Sequence, residues 1–208
     1  MFCLRVATDP EWANEAVKDL DAVLMDHAHC EMKAATNALS LVVRYASDDI
    51  GLIEALTKIA REELEHFERV VSFLKSRGLT LGAPPVDEYA AQLRKAMNRL
   101  PDVEGLPLIV DRLLIGALIE ARSCERFKLL LSASSTSVPA DLRAFYDELF
   151  AAEARHYREY VDLAISAATP AKMEHLIEGR LDRLAEEEAR IVKELATRDA
   201  STRQSVHG

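Results

Sequence analysis

The strongest constraint in this sequence is a pair of Glu-x-x-His steps set inside long helical patterns. They are Glu63-Leu64-Glu65-His66 and, 90 residues on, Glu153-Ala154-Arg155-His156. Each step follows a single glutamate at a near-constant distance, Glu31 lying 32 residues before Glu63 and Glu120 lying 33 before Glu153. One helical hairpin is therefore used twice, each copy offering two carboxylates and one imidazole. A three-residue step recurs easily by chance, so the helix face it occupies decides what it means.

Apolar residues at three-to-four spacing define four stripes. The first runs Leu20, Leu24, His27, Glu31, Ala35, Ala38, Val42, and the second Leu52, Leu56, Ile59, Glu63, His66, Val70, Phe73. The third runs Leu106, Ile109, Leu113, Ala117, Glu120, Cys124, Phe127, Leu131, and the fourth Leu142, Phe145, Leu149, Glu153, His156, Tyr160, Leu163. All six candidate residues interrupt these stripes, whereas Glu68, Glu148 and Glu159 lie off them. Four buried carboxylates without partners are costly, so something cationic belongs between them, and two divalent metals suffice. Ferritin-like di-iron and di-manganese carboxylate bundles are known to use this arrangement, a glutamate from each of two helices and a Glu-x-x-His from each of the other two.

The pattern predicts an all-α fold: a ferritin-like four-helix bundle with a long crossover carrying a short helix, plus a C-terminal helix. Residues 1–197 are expected to form a single di-metal domain, with 198–208 a mobile polar tail. Thr8-Asp9-Pro10-Glu11 reads as a capping box, and the first long pattern breaks near Lys18 and ends near Tyr45. Asp49 supplies an N-cap and Gly78 a C-terminal stop. The crossover, with a short helix from Asp87 to about Arg99, spans roughly 30 residues, as a bundle with one long connection requires. A final helix is expected from Thr169-Pro170, with Met173, Leu176, Ile177, Leu181, Leu184, Ile191 and Leu195 inward and Glu186-Glu187-Glu188 on a solvated face.

No apolar run reaches the ~20 residues that span a bilayer, and the N-terminus lacks a signal-peptide pattern, so a cytoplasmic protein without membrane contact is expected. Cys3, Cys30 and Cys124 form no CxxC pair, which argues against a disulfide framework and against a rubrerythrin-type extra iron site. Cys30 and Cys124 read as small buried residues near the site. The formal net charge of −9 gives no general attraction for nucleic acid, so RNA binding would need a local basic patch. Candidates are Lys33, Arg94, Lys95, Arg99 and Arg112. Arg122 and Arg126, one turn apart, either grip phosphate or pair with acidic neighbours such as Glu125; pairing is the expected role.

Imidazole and carboxylate ligands suit iron or manganese, and six protein ligands for two metals leave positions for O₂ or water. Gly116, one turn before Glu120, makes room either for a substrate or for close helix packing. His27 reads as a satisfied core histidine rather than a partner of Glu31, and His29 as partly exposed. A metal-free helical interaction protein remains the competing class, and ferroxidase or manganese catalase chemistry the competing activities.

Three stretches carry a resemblance. Asp26-His27-Ala28-His29-Cys30-Glu31-Met32-Lys33-Ala34-Ala35, Glu62-Glu63-Leu64-Glu65-His66-Phe67 and Leu118-Ile119-Glu120-Ala121-Arg122-Ser123-Cys124-Glu125-Arg126-Phe127 resemble the tRNA 2-methylthio-N6-isopentenyladenosine hydroxylases. The resemblance covers roughly residues 10–197. It implies a ferritin-like di-iron monooxygenase that uses O₂ and an external electron donor, a reductase or ferredoxin. Its substrate would be the isopentenyl group of a hypermodified adenosine beside the tRNA anticodon. Carried over by position, Glu31, Glu63, His66, Glu120, Glu153 and His156 become the ligands of two iron ions, with manganese open. Glu125 is the one rival to Glu120, and its place off the stripe counts against it.

Overall fold

The computed structural model of the protein describes residues 2–133 and 138–196. Seven α-helices are described: α1 Glu11–Ala16, α2 Leu20–Tyr45, α3 Ile50–Ser76, α4 Glu88–Met97, α5 Ile109–Ser132, α6 Ala140–Ala168 and α7 Ile177–Ala196. The long pairs α2–α3 and α5–α6 pack along one another as two hairpins, and the segment between them carries α4 against α7. A ferritin-like four-helix bundle with a helical crossover and an added C-terminal helix is the result.

Side-chain caps set several of the boundaries. Asp19 accepts from the Ala22 N–H at 3.0 Å, Asp49 from Leu52 at 2.9 Å and Asp87 from Ala90 at 2.9 Å. Each such cap stabilises its helix by about 1 kcal/mol relative to alanine. Gly78, at φ +70°, stops α3, with the Leu79 N–H returning to the Leu74 carbonyl at 3.0 Å.

Two apolar clusters flank the midpoint of the bundle. One gathers Leu56, Ile59, Leu93, Leu113, Leu114 and Tyr160; the other gathers Trp12, Leu24, Val70, Phe127, Phe145 and Tyr146. The charged residues of the four stripes fall between them, so each ligand-bearing turn has apolar packing on either side. Truncating one of these large residues to alanine costs about 2–5 kcal/mol.

Three expectations are corrected. Thr8 does not cap α1: its N–H and hydroxyl donate to the Glu125 carboxylate at 3.0 and 2.6 Å, while Asp9 accepts from the Glu11 N–H at 2.9 Å. The last helix starts at Ile177 rather than Thr169, because Lys172 adopts a left-handed conformation (φ +58°) between two short 3-10 turns. Glu188 is buried rather than solvated, since α7 lays it against α5. There it accepts from Arg122 Nη2 at 2.7 and 2.9 Å and from the Tyr89 hydroxyl at 2.9 Å.

Arg122 is itself fully buried, bonded to Glu188, Thr8 and the Val6 carbonyl and ion-paired with Glu125. One guanidinium thus ties the N-terminal segment, α5 and α7 together, and through Glu188 it reaches α4. Arg126, over the Trp12 ring at 5.2 Å, is also buried. Both guanidinium groups are buried in the protein's own packing. The Ser/Thr-rich turn at 134–137 and the tail at 198–208 lie outside the described residues.

Candidate metal centre

Four glutamates and two histidines from α2, α3, α5 and α6 meet at the level between the two apolar clusters. Glu31, Glu63, His66 and Glu153 offer ligand atoms within 4.8 Å of one another, and Glu63, Glu120, Glu153 and His156 do the same. All six residues of the sequence prediction are brought together, and Glu63 and Glu153 belong to both groups. Glu125 is excluded from the cluster by its bonds to Thr8 and Arg122.

The donors face inward. His66 Nδ1 lies 3.6 Å from oxygens of Glu31, Glu63 and Glu153, and His156 Nδ1 lies 2.7 Å from Glu63 and 3.6 Å from Glu153. Both oxygens of Glu63 and of Glu153, Oε2 of Glu120 and Nδ1 of both histidines are buried and make no hydrogen bond. Buried polar atoms gathered in this way could hold a metal ion.

Outer groups fix the orientation of two donors. The His156 Nε2–H donates to Glu62 at 2.8 Å, which leaves the Nδ1 lone pair turned to the cluster. The His27 Nε2–H donates to Glu31 Oε1 at 2.6 Å, leaving Oε2 toward His66. His27 is therefore a partner of Glu31 and not merely a core residue, as its position four residues earlier on the same stripe permits. His29 is buried rather than partly exposed, beside the Leu81 carbonyl at 3.2 Å. Nothing in the sequence pointed to Glu62, because its role depends on the register between α3 and α6.

The electrostatics agree. Burial first, then the charges of Glu153 and Glu31, push Glu63 up to about 7. Burial and the same kind of crowding push Glu120 well above the carboxylate range. Burial disfavours the charged form of His66, but Glu31 and Glu63 outweigh it and carry it up to about 10. Carboxylates crowded and buried in this way disfavour their own charged forms, and a cation between them would offset that cost.

A cavity of about 430 Å³ opens beside this centre between α2, α4 and α5. Its inner wall includes Glu120, Gly116, Ile119 and Tyr160, and further out it is bordered by Thr36, Asn37, Asp87, Lys33, Arg94 and Arg112. Gly116 is placed where both readings of it meet, at the cavity wall and against a packed side chain. It lines the cavity, and a Cβ there would stand 3.0 Å from the Tyr160 ring. Cys30 also lines the cavity, whereas Cys124 is buried against the Phe150 carbonyl at 3.7 Å.

Comparison with known proteins gives this geometry a family. The model of the tRNA-(MS[2]IO[6]A)-hydroxylase (MiaE) family matches residues 1–201. The chain belongs to that hydroxylase family. A tRNA 2-(methylsulfanyl)-N(6)-isopentenyladenosine(37) hydroxylase of Pseudomonas putida is 39% identical, over 82% of this chain and 79% of its own length. The enzyme of that name from Salmonella typhimurium is 31% identical, over 77% and 74%. Among solved structures, "Protein 43 with aldehyde deformylating oxygenase activity from Synechococcus" superposes with a TM-score of 0.83 at 36% identity. That match covers 100% of this chain and 96% of the other. Membership makes the chain an enzyme of tRNA modification and removes the non-catalytic interaction protein from consideration. Among the described residues no helix is long and apolar enough to cross a membrane.

Proposed function

We propose that this hydroxylase family member binds two iron ions, one through Glu31 and His66 and the other through Glu120 and His156, with Glu63 and Glu153 shared between them. Its reaction is the O₂-dependent hydroxylation of the isopentenyl group of 2-methylthio-N6-isopentenyladenosine in tRNA, carried out in the cytoplasm by residues 1–197 acting as one unit. Ferrous ions at such a site supply the electrons that activate O₂. The balance is one C–H bond converted to C–OH, with the second oxygen atom leaving as water. Two electrons come from an external reductase or ferredoxin, and two protons from solvent.

The observation that carries this reading is the cavity that reaches Glu120. Its volume falls within the ~300–1,000 Å³ usual for small-molecule and cofactor sites. Gly116, Ile119 and Tyr160 offer an apolar inner wall for a prenyl chain and exclude water from the reacting carbon, while Glu62 holds the His156 ring in place. Hydroxylation of a base side chain requires the nucleotide to leave the stack and enter such a cavity.

The test loads the protein anaerobically with ferrous iron, reduces it, and admits O₂ with tRNA carrying the isopentenylated adenosine. Two irons per chain and a nucleoside heavier by one oxygen atom, both lost in Glu63→Ala, are expected. Two metals without that product would leave the centre and overturn the substrate. A second arm supplies a fatty aldehyde, motivated by the Synechococcus protein; its consumption in place of the nucleoside would favour deformylation. Loading with manganese in parallel decides between the two metals by which one supports product formation.

A further inference from the structure

Three cations surround the outer part of the cavity, one from each helix that walls it: Lys33 from α2, Arg94 from α4 and Arg112 from α5. Most of the interior arginines of this chain are committed to carboxylates, as Arg122 is to Glu188 and Arg180 to Asp111 at 2.6 Å. Neither Arg94 nor Arg112 has an ion-pair partner among the described residues. Lys33 has one. Its Nζ lies 2.7 Å from Asp87 Oδ2, while Asp87 Oδ1 caps α4. In a protein of formal net charge −9, a cationic rim on the cavity that leads to the metal centre is a local reversal of sign.

Such a rim does not suit a neutral apolar substrate, which would leave Arg94 and Arg112 without a partner for their charge. It suits a polyanion whose uncharged part goes inward. We propose that Lys33, Arg94 and Arg112 seat the backbone phosphates flanking the nucleotide whose base enters the cavity. Asp87 is the internal counter-ion that an incoming phosphate displaces from Lys33. The inference rests on the RNA substrate proposed above. It also supplies the basic patch that RNA binding to an acidic chain requires.

Asp87 makes the idea separable from a simple charge effect. An Asp87→Asn change keeps an N-cap of equal quality, because asparagine caps as well as aspartate, and removes the competitor of the phosphate. The clamp therefore predicts a gain. An anticodon-stem-loop RNA bearing the isopentenylated adenosine would be bound to the iron-loaded protein by fluorescence anisotropy over a series of salt concentrations.

Asp87→Asn should tighten binding at low salt roughly threefold, the effect of removing one nearby like charge across water. Arg94→Gln and Arg112→Gln should each lower the slope of log K against log salt by about 0.7–0.9, the contribution of one phosphate contact. Arg94→Lys and Arg112→Lys should keep the slope, as should Arg61→Gln, an exposed cation on α3 away from the cavity. Unchanged slopes in the two glutamine variants, or weaker binding by Asp87→Asn, would overturn the clamp. Hydroxylation of the same RNA by the unaltered protein is scored alongside. Its absence defeats the proposed function, whereas its presence with unchanged slopes defeats the clamp alone.

Discussion

The two half-sites of the centre share Glu63 and Glu153 and differ in what stands behind their other residues. On the α2 side, Glu31 is held by His27, whose ring lies 5.4 Å from Phe127, 6.0 Å from Phe145 and 5.6 Å from Tyr146. That half-site is embedded in an aromatic cluster. On the α5 side, Glu120 borders the cavity, and His156 leans on Glu62, a half-buried residue whose neighbours Lys58 and Arg155 are exposed. A repeated hairpin thus delivers near-equivalent donors to unequal surroundings. One side is packed among aromatic rings, and the other opens on the cavity. Symmetry in the donors and asymmetry in their supports is what a centre needs if two metals are to bind alike and react on one face.

The largest effect should come from removing what the half-sites share. Glu153→Ala and Glu63→Ala each take a carboxylate from both, so metal analysis should fall from two ions per chain to one or none. Activity should fall by more than the roughly 10- to 100-fold typical of an outer partner. Retention of two tightly held ions in either variant would show that the half-sites do not share these residues.

Removing metal altogether should invert the ordinary dependence of stability on pH. Glu63 is raised to about 7 and His66 to about 10 in the folded protein. Between about pH 4.5 and 7 the folded state keeps a proton on Glu63 that the unfolded chain has released, and between about 6.5 and 10 it keeps one on His66. The unfolded state then binds fewer protons, so stability falls as pH rises across the whole window. Glu153 acts with the opposite sign but only at the acid end: burial raises it, yet the nearby His156 and Glu120 together outweigh that and lower it to about 2. Metal binding demands deprotonated donors, so loaded protein should gain over stripped protein as pH rises. Urea denaturation of both forms near pH 6 and near pH 9 measures this, and stripped protein that is more stable at the higher pH would contradict it.

The outer partners distinguish the halves. His27→Leu should loosen the ion beside Glu31, and Glu62→Ala the ion beside His156, each by about 10- to 100-fold, so that two equivalent binding steps become two distinct ones. Calorimetric titration with manganese would resolve them. Variants that weaken both ions equally would mean that the halves are coupled too tightly to be told apart.

How much of this was legible in sequence follows from where each residue points. The six site residues stood out because they occupy the inward face of helices that are otherwise apolar there. The same test applied to α7 would have found Glu188, which sits between Leu184 and Ile191 at helical spacing and is as buried as they are. In the run Glu186-Glu187-Glu188 two less buried neighbours mask the one member on the stripe. Arg122 was harder, because α5 is packed on nearly every side and has no single apolar face to mark what is buried. Glu62 and the Lys33–Asp87 pair depend on the register between helices far apart in sequence, which no single-helix periodicity encodes.

The smallest effect, and the finest probe of the asymmetry, lies at Gly116. A glycine inside a helix forgoes about 1 kcal/mol relative to alanine, so Gly116→Ala begins with that gain. Against it stands the Tyr160 ring, which a new Cβ would meet at 3.0 Å. Tyr160 is packed in the core and cannot swing out freely, so moving it costs about 1–3 kcal/mol. The net change in stability should be small and unfavourable, with both ions retained. The displaced ring should instead encroach on the cavity beside Glu120, raising KM for the modified RNA and leaving the Glu31 half-site untouched. Tyr160→Leu removes the ring, so the double-mutant cycle should show a coupling of about 0.5–3 kcal/mol. An additive cycle would mean that the glycine is not there for the tyrosine, and that the cavity wall owes its shape to something else.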